Sequence, residues 1–408
     1  MPPIVVDPPR WNIKTSVSDS NCTMIYLDHN ATTPVSPEVL EAMLPYFKED
    51  WGNPSSTYRF GSKLKLVIET AREQVAELLG ATSREILFTS CATESNNAAI
   101  HAALKAHPTK KHVVTSAVEH SSVLNYCMAL EKEGVKVTYL PVDRDGLLKI
   151  ADLEAVITSE TSLVTLMWAN NETGVLFPIP EIAHVCKARG VLFHCDAVQA
   201  VGKVEINLAD VPVDYLSVTG HKIGAPKGVG ALFVRRKTPF SPLIHGGHQE
   251  RGWRGGTESV PLLVSLGQAA QLARKNLPGY DAEIRPLRDA LEAGILSSIA
   301  DTELNGHKTQ RLSNTTNITF RGIESEAMLL LLDQEGVCAS SGSACLADSD
   351  EPSHVVKAMK PDTTASRQMI RFSFGLGNSS KDVQTCLNAA RNNTSALKGS
   401  ELVKHELT

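Results

Sequence analysis

Short apolar runs alternate with amphipathic segments along the first 260 residues of the chain. The apolar runs are typical of buried strands, and they lie at Glu85–Thr89, His112–Ser116, Val135–Leu140, Leu163–Trp168, Val191–His194, Tyr215–Thr219 and Ala231–Val234. Segments with helical spacing lie between them, at Thr93–Ala106, His120–Glu133 and Ile182–Arg189. This alternation predicts a mostly parallel sheet with helices on both faces. Ligands bind such sheets beyond the carboxyl ends of the strands, so we expect site residues directly after each strand.

The pattern changes near Glu258 and predicts a second, smaller α+β domain. Two long helices are expected at Glu258–Asn276 and Ala282–Ile299, followed from Asn314 by three strand–helix pairs. The predicted division is a leader at 1–24, a large domain at 25–275 whose first residues pack with the small domain, and a small domain at 276–408.

Composition and charge exclude several classes of protein. With 40 basic and 45 acidic residues the net charge is −5, which argues against a nucleic-acid partner or an anionic membrane surface. No apolar run is long enough to span a bilayer, and the leader has no apolar core typical of a secretory signal. Eight cysteines without a Cys-x-x-Cys pair predict neither a disulfide framework nor a metal site, so we expect a reducing, cytoplasmic location.

The residues that follow three of the predicted strands could each have an ordinary structural role. Ser90–Asn97 turns from strand to helix with small and hydroxyl residues, which suits a phosphate, although an ordinary helix N-cap by Thr93 is the alternative. His120 begins the next helix, and a lone histidine there is more often structural. The turn Ala169–Gly174, with two asparagines, is unremarkable by itself.

Asp196 and Lys222 are harder to explain as structural residues. Each ends a buried apolar strand, where a charged group costs free energy unless it is paired or hydrogen-bonded. They can lie on neighbouring strands and face one cleft. A lysine able to form a Schiff base, a carboxylate for a pyridine nitrogen and a phosphate site are what pyridoxal 5'-phosphate requires. A buried salt bridge between the two residues is the alternative.

Long strings of the chain resemble the cysteine desulfurases, in the class V aminotransferase group of fold-type I pyridoxal-phosphate enzymes. They run in the family's order from Tyr26 to Ser373, and the iron–sulfur cluster and nitrogen-fixation type is the most similar. The resemblance implies the fold of that group, an α/β large domain with a mostly parallel seven-stranded sheet. The strings are YLDHNATTPVSPEV, GNPSS, ILFTSCATESNN, VEH, WANNETG, FHCDAVQAVGK, TGHKIGAPKGVGAL, GGHQERGWRGGTES, SSGSAC, EPSHV and IRFS.

The resemblance implies roles for the strand-end residues. Lys222 would carry the cofactor, Asp196 would pair with its ring nitrogen, and Gln199 would bond its phenolic oxygen. His120 would stack on the ring and relay protons. The phosphate would be bound by Ala92, Thr93, Thr219 and His221. Thr257 would reach the phosphate of the neighbouring subunit, which implies a homodimer, and Asn171 and Arg371 would fix the substrate carboxylate.

Cys345 matches the catalytic cysteine of the family. It would take sulfur from L-cysteine as a persulfide, release L-alanine and pass the sulfur to an acceptor protein, either a cluster scaffold or a persulfide carrier. The surrounding residues, 340–350, are small and polar, as a mobile loop requires. The alternative is an ordinary exposed thiol. Cys338, in the predicted strand Glu335–Ala339, is expected in the core, and Cys91 is a minor candidate.

Three departures from the family and three alternative functions remain open. His29 replaces a small polar residue near the predicted site, Thr219 replaces a common serine, and Leu346–Asp350 differs from a usual Thr-Ser-rich sequence. The alternatives are a selenocysteine lyase, another class V lyase or transaminase in which Cys345 is dispensable, and a catalytically silent scaffold.

Overall fold

The computed structural model describes residues 24–342 and 352–406, with side chains to residue 399. The leader prediction and the Leu346–Asp350 departure therefore lie outside the described residues, apart from Met24. The strands are β1 (Ile25–Tyr26), β2 (Ile86–Thr89), β3 (His112–Ser116), β4 (Lys136–Leu140), β5 (Thr161–Met167), β6 (Leu192–Asp196), β7 (Tyr215–Thr219), β8 (Gly230–Val234), β9 (Thr302–Leu304), β10 (Thr315–Phe320), β11 (Val337–Cys338) and β12 (Met369–Ser373). The α-helices are α1 (Pro37–Met43), α2 (Pro45–Lys48), α3 (Arg59–Ser62), α4 (Leu64–Leu79), α5 (Ala92–Ala106), α6 (Ser121–Lys132), α7 (Ile150–Val156), α8 (Ile179–Arg189), α9 (Val260–Ser298), α10 (Ser325–Gln334), α11 (His354–Met359) and α12 (Ser380–Glu406).

A seven-stranded sheet with the order β2-β8-β7-β6-β5-β3-β4 forms the centre of the large domain. Only β8 runs antiparallel to its neighbours, so the predicted mostly parallel sheet is confirmed. Every residue of β5 is buried, as expected for a strand with helices on both faces. Asp196 pairs with Ser217 in the β6–β7 register, which brings the ends of these two strands to the same edge of the sheet.

Helix α9 corrects the prediction of two separate helices, because it runs unbroken through Pro278 and Pro286. Each proline removes one backbone donor, but the helix is held by burial at both ends. Its first half packs Leu266 into the core of the large sheet, and its second half packs Ile284 into a second core. The predicted boundary at 275/276 falls inside α9, and the division there stays a prediction. No helix among the described residues, α9 included, is long and apolar enough to cross a membrane.

The second core gathers strands from both ends of the chain. An antiparallel sheet, β12-β10-β9, packs with the two-stranded parallel pair of β1 and β11. Leu27 of the amino-terminal segment and Phe372 of β12 are both completely buried in this core. The three expected strand–helix pairs from Asn314 onward are present, whereas β9 was not predicted because it is short and only half-buried. The strand pairing thereby brings the amino-terminal segment beside β12.

Candidate active site

Asp196 is the last residue of β6 and Lys222 follows the neighbouring strand β7, and hydrogen bonds fix both side chains. Asp196 is 5% exposed, and it accepts from Asn96 Nδ2 at 2.8 Å and from the Val198 N–H at 3.1 Å. Lys222 lies in the 3-10 turn after β7 and donates to the carbonyls of Asn30 and, at 2.6 Å, Ala31. The hydrogen bonds described for Asp196 and for Lys222 are therefore made with different residues. Neutral donors on Asp196 leave its carboxylate suited to a cationic ligand.

A chain of hydrogen bonds connects Asp196 to His120. Asn96 Nδ2 also donates to Ser122 Oγ at 2.8 Å, and Ser122 Oγ lies 2.8 Å from His120 Nδ1. His120 is the N-cap of α6, where its Nδ1 accepts the Ser122 N–H at 3.1 Å. Since Nδ1 accepts, the neutral imidazole carries its proton on Nε2. The roles of Asn96 and Ser122 were missed, although both lie in segments that the sequence had singled out.

The segment from β2 to α5 has the geometry of an anion site. Helix α5 begins at Ala92 with Cys91 as its N-cap, so the alternative of a Thr93 N-cap is wrong. The first-turn N–H groups of a helix have no carbonyl partner within it and attract negative charge. Burial alone would raise the pKa of Glu94 in this turn, but donation from Arg254 and Ser90 lowers it below its ordinary value. Arg254 Nε lies 2.9 Å from Glu94 Oε1, which offsets a carboxylate that would repel an anion.

The other predicted phosphate ligands are Thr219, His221 and Thr257. Thr219 is buried, with its Oγ1 3.4 Å from the Val229 carbonyl, and His221 Nδ1 lies 3.2 Å from Thr32 Oγ1. Burial, followed by nearby cationic groups, lowers the pKa of His221 to about 4, so its ring is neutral at pH 7. Thr257 is exposed and lines a cavity of about 180 Å³ together with Ser90. Thr257 therefore lies near the segment from β2 to α5 of its own chain.

Asn30 is at the centre of the site, and the sequence analysis missed it. Its carbonyl accepts from Lys222 Nζ and, at 2.9 Å, from Gln199 Nε2. Its side chain donates to the Asn171 carbonyl at 3.1 Å and accepts from Asn314 Nδ2 at 3.0 Å. The signal was present in the string YLDHNATTPVSPEV, which includes this residue. Asn30 thus connects the amino-terminal segment with the β12-β10-β9 sheet, the carboxyl edge of the seven-stranded sheet and Lys222.

Arg371 and Asn171 lie together, but much of the guanidinium is already bound. Arg371 is 1% exposed and donates through Nη1 to the carbonyls of Gly342 at 2.7 Å and Asn171 at 3.0 Å. Its Nη2 lies 2.6 Å from Asp28 Oδ1. Arg371 Nε and Asn171 Oδ1 have no hydrogen-bond partner among the residues that the structure describes. Buried polar atoms without partners cost about 1–3 kcal/mol each, so they are the groups here that a ligand would satisfy.

Comparisons with known proteins agree with this arrangement. The family model described as aminotransferase class V matches residues 25–386. The chain belongs to the class V aminotransferase family. Cysteine desulfurase 2 of Trichormus variabilis is 56% identical over 352 residues, which cover 86% of this chain and 88% of that protein. A NifS-like protein of known structure aligns with a TM-score of 0.86 and 35% identity, over 91% of this chain and 99% of the other. The structure described as SspA in complex with cysteine aligns with a TM-score of 0.76 and 38% identity, over 86% of this chain and 98% of the other.

The resemblance to cysteine desulfurases is therefore confirmed, and the class V aminotransferase family is pyridoxal-phosphate dependent. The groups present fit that cofactor by their chemistry. Lys222 supplies a primary amine at the carboxyl edge of the sheet, Asp196 a carboxylate held by neutral donors, and α5 a set of first-turn N–H groups.

Cys345, the predicted sulfur-carrying residue, lies outside the described residues, and Gly342 and Ser353 are described residues on either side of it. Both flanking residues meet the carboxylate of Glu172, which is completely buried. Ser353 Oγ donates to Glu172 Oε2 at 2.5 Å, and a Cβ added at Gly342 would come within 3.2 Å of the same oxygen. The Glu172 carboxylate therefore binds Ser353 and leaves no room for a side chain at position 342 without a shift of a few tenths of an ångström.

Glu119, beside His120, is a second buried carboxylate that the sequence analysis did not consider. It is completely buried, and its Oε1 accepts from Ser116 Oγ at 2.6 Å and from the Met167 N–H at 3.1 Å. Burial raises the pKa of Glu119 to about 8, against the lowering effect of these bonds. Its carboxyl group is therefore protonated in the folded protein at pH 7.

His29, one of the departures expected from the sequence, is a packed residue. Its ring is 7% exposed and meets Tyr26 edge-on, with the ring centroids 5.0 Å apart. A Cβ at position 375 would lie 2.2 Å from His29 Nδ1, so Gly375 is required there. Burial, together with the charge of Lys203, lowers the pKa of His29 to about 4. An effect of His29 on substrate choice stays a prediction.

Proposed function

We propose that this chain is a cysteine desulfurase that uses pyridoxal 5'-phosphate to remove sulfur from L-cysteine, giving L-alanine and a persulfide on Cys345. The observation that carries the proposal is the placement of Asp196 and Lys222 at the ends of neighbouring strands, each with its own hydrogen-bond partners. The curated relatives named cysteine desulfurase support the choice of reaction.

The residues around the sheet edge have separable tasks. When bound, the cofactor supplies an electron sink that makes the α-proton of an amino acid acidic. Lys222 would move that proton, since its amine lies at the strand end where Asn30 and Ala31 orient it. Asp196 would hold a positive charge at the ring nitrogen, and the first turn of α5 would bind the phosphate. His120, with its proton on Nε2, would donate to the substrate side.

Recognition of L-cysteine would use the unsatisfied groups beside β12. Arg371 brings a buried positive charge and an unpartnered Nε, and Asn171 brings an unpartnered amide oxygen. Together they suit an amino acid, because Arg371 Nε would donate to its carboxylate and Asn171 Oδ1 would accept from its ammonium group. A selenocysteine lyase needs the same contacts, so the rates with cysteine and selenocysteine are to be compared.

Sulfur would leave through Cys345. Its thiolate would form a bond to the substrate sulfur while the carbon–sulfur bond breaks, and the carbon would then take up a proton to become alanine. The persulfide would next pass to a thiol of an acceptor protein, either a cluster scaffold or a persulfide carrier. The described cysteines are all free thiols, which supports a reducing compartment such as the cytoplasm.

A homodimer is part of the proposal. Exposed aromatic side chains lie on the segment 47–60, including Trp51 at 69% and Tyr58 at 60% exposure. Trp51 shares a cavity of about 200 Å³ with Thr257, the residue expected to reach the partner's phosphate. Large exposed apolar groups in one place are typical of an interface, and a second copy would cover them.

The test is incubation of the enzyme with L-cysteine and a reductant, measuring alanine, sulfide and the mass of the Cys345 peptide. We expect equal yields of alanine and sulfide and a 32 Da increase on that peptide before reduction, 32 being about the mass of one sulfur atom. Cys345→Ala should keep the visible absorbance of the cofactor but lose alanine formation. Alanine formation at the wild-type rate would show that another group accepts the sulfur, and faster turnover of selenocysteine alone would favour the lyase.

A further inference from the structure

Lys203 is a buried cation that the proposed reaction does not use. Its side chain is 9% exposed, and its Nζ donates to Gln199 Oε1 at 2.9 Å, with a longer contact of 3.5 Å to Asn30 Oδ1. It forms no salt bridge with any carboxylate in residues 24–342 or 352–406. A buried ammonium without a counter-charge is costly, and an apolar residue would avoid that cost.

Two of the titratable groups near Lys203, Lys222 and Arg371, carry positive charge. Burial, then the charges of Lys222 and Arg371, lowers the pKa of Lys203 to about 7. His29, the other titratable neighbour, is neutral at pH 7, as described above. These groups come from the segment after β1, the turn after β7 and strand β12. The charges of Lys222 and Arg371, together with that of Lys203 when it is protonated, therefore make the pocket suited to an anionic atom.

The hydrogen bond from Lys203 decides which way the Gln199 amide faces. An ammonium has donors only, so it must meet the oxygen of the amide and not its NH2 group. The Gln199 Nε2 consequently faces the opposite direction, where it donates to the Asn30 carbonyl at 2.9 Å. Lys222 Nζ donates to the same carbonyl. A flipped amide would set NH2 against the ammonium of Lys203 and would leave the Asn30 carbonyl without this donor.

We infer that Lys203 is a positioning residue, which turns the NH2 group of Gln199 toward the phenolic oxygen of the bound cofactor and places a positive charge behind that amide. The inference rests on the proposed function and on the role that the resemblance implies for Gln199, that of a ligand of the phenolic oxygen. Its consequence is electrostatic: the donor and the charge both stabilise the oxygen as an anion. The protonated form of the bound cofactor is thereby disfavoured, and the pH at which its visible absorbance changes is lowered.

The test is a pH titration of the visible absorbance of the holoenzyme without substrate. Lys203→Met removes the donor and the charge, and Lys203→Gln keeps a donor of similar length but removes the charge. We expect the midpoint to rise by about 1 pH unit in Lys203→Met and by less in Lys203→Gln. Lys227→Met is the matched control, because Lys227 is an exposed lysine in the loop that carries Lys222. Its midpoint should equal that of the wild type.

A double-mutant cycle shows whether the effect passes through the amide. In a Gln199→Ala background, Lys203→Met should shift the midpoint by at most about half as much as it does alone. Full additivity, or a Lys203→Met midpoint equal to that of the wild type, would overturn the inference. If Lys203→Met does not fold, Lys203→Gln decides in the same way; failure of both variants to fold would assign Lys203 a structural role and also overturn it. Absence of any cofactor absorbance in the wild type would instead refute the proposed function.

Discussion

Replacement of Asn30 by alanine tests whether the hydrogen bonds of this side chain hold the site together. The Asn30 amide makes three hydrogen bonds of 2.8–3.1 Å, to the Asn171 carbonyl, Thr315 Oγ1 and Asn314 Nδ2. Asn30 itself is 2% exposed, so water does not replace these bonds easily. The backbone carbonyl that accepts from Lys222 remains in the variant. Asn30→Ala thus loosens the segment without removing the direct partner of the lysine.

The expected loss of stability depends on the hydrogen bonds that the partners of Asn30 keep in the variant. Asn314 Nδ2 also donates to the Phe374 carbonyl, and the Asn171 carbonyl also accepts from Arg371, so neither is left without a partner. We therefore assign each lost bond the ordinary net value of about 1 kcal/mol, and not the larger cost of an orphaned group. The free energy of unfolding should fall by about 3 kcal/mol.

Urea unfolding followed by circular dichroism measures this change, and the pH profile of alanine formation measures its effect on Lys222. Asn97→Ala is the matched control, since the one hydrogen bond of the Asn97 side chain to the described residues is to the Thr93 carbonyl within its own helix, at 2.7 Å. We expect the control to change the free energy of unfolding by less than about 0.5 kcal/mol. A loss in Asn30→Ala no larger than in the control would refute the central role of this side chain.

Four further predictions concern single groups. Glu119 has a pKa of about 8 in the folded protein and about 4.5 in the unfolded chain, so the folded protein binds its proton more tightly. The stability that this group contributes therefore falls as the pH rises from 4.5 to 8, and the Tm of Glu119→Gln should rise relative to that of the wild type across that range. Asp196→Asn should lower alanine formation by about 100-fold or more while far-UV circular dichroism is unchanged, and equal rates would remove its assigned task. Arg254→Met should weaken cofactor retention on dialysis by leaving Glu94 uncompensated, and unaltered retention would contradict this. Trp51→Glu should yield monomers in analytical ultracentrifugation, whereas an intact dimer would place the interface elsewhere.

The sequence predicted the large sheet because its local and global signals agree. Strands such as Tyr215–Thr219 are fully buried runs of apolar and β-branched residues, which leaves little choice of register or face. The residue after such a strand lies at the ligand-binding edge whatever its neighbours do. This is why Asp196 and Lys222 could be singled out before any resemblance was considered.

Helix α9 shows where local signals mislead. Pro278 followed by Gly279 is a strong local signal for a helix end, and it lies between the two predicted helices, Glu258–Asn276 and Ala282–Ile299. Burial of apolar residues on both sides of this point, in two different cores, outweighs the loss of a backbone hydrogen bond. Sequence periodicity does not show which core each half of a helix will meet.

The site contains a further layer that no local pattern reveals. Asn30 and Lys203 are 173 residues apart in the chain, and each looks ordinary in sequence, an asparagine in a turn and a lysine before a loop. Their roles arise only when the amino-terminal segment pairs with β11 and lies beside β12, which brings Asn30 over the end of the large sheet. Residues that contact a ligand can be sought at strand ends. Residues that orient those contact residues are determined by long-range packing. A buried lysine without a carboxylate partner is then informative, because only the folded structure shows that its charge is buried at a cost in free energy.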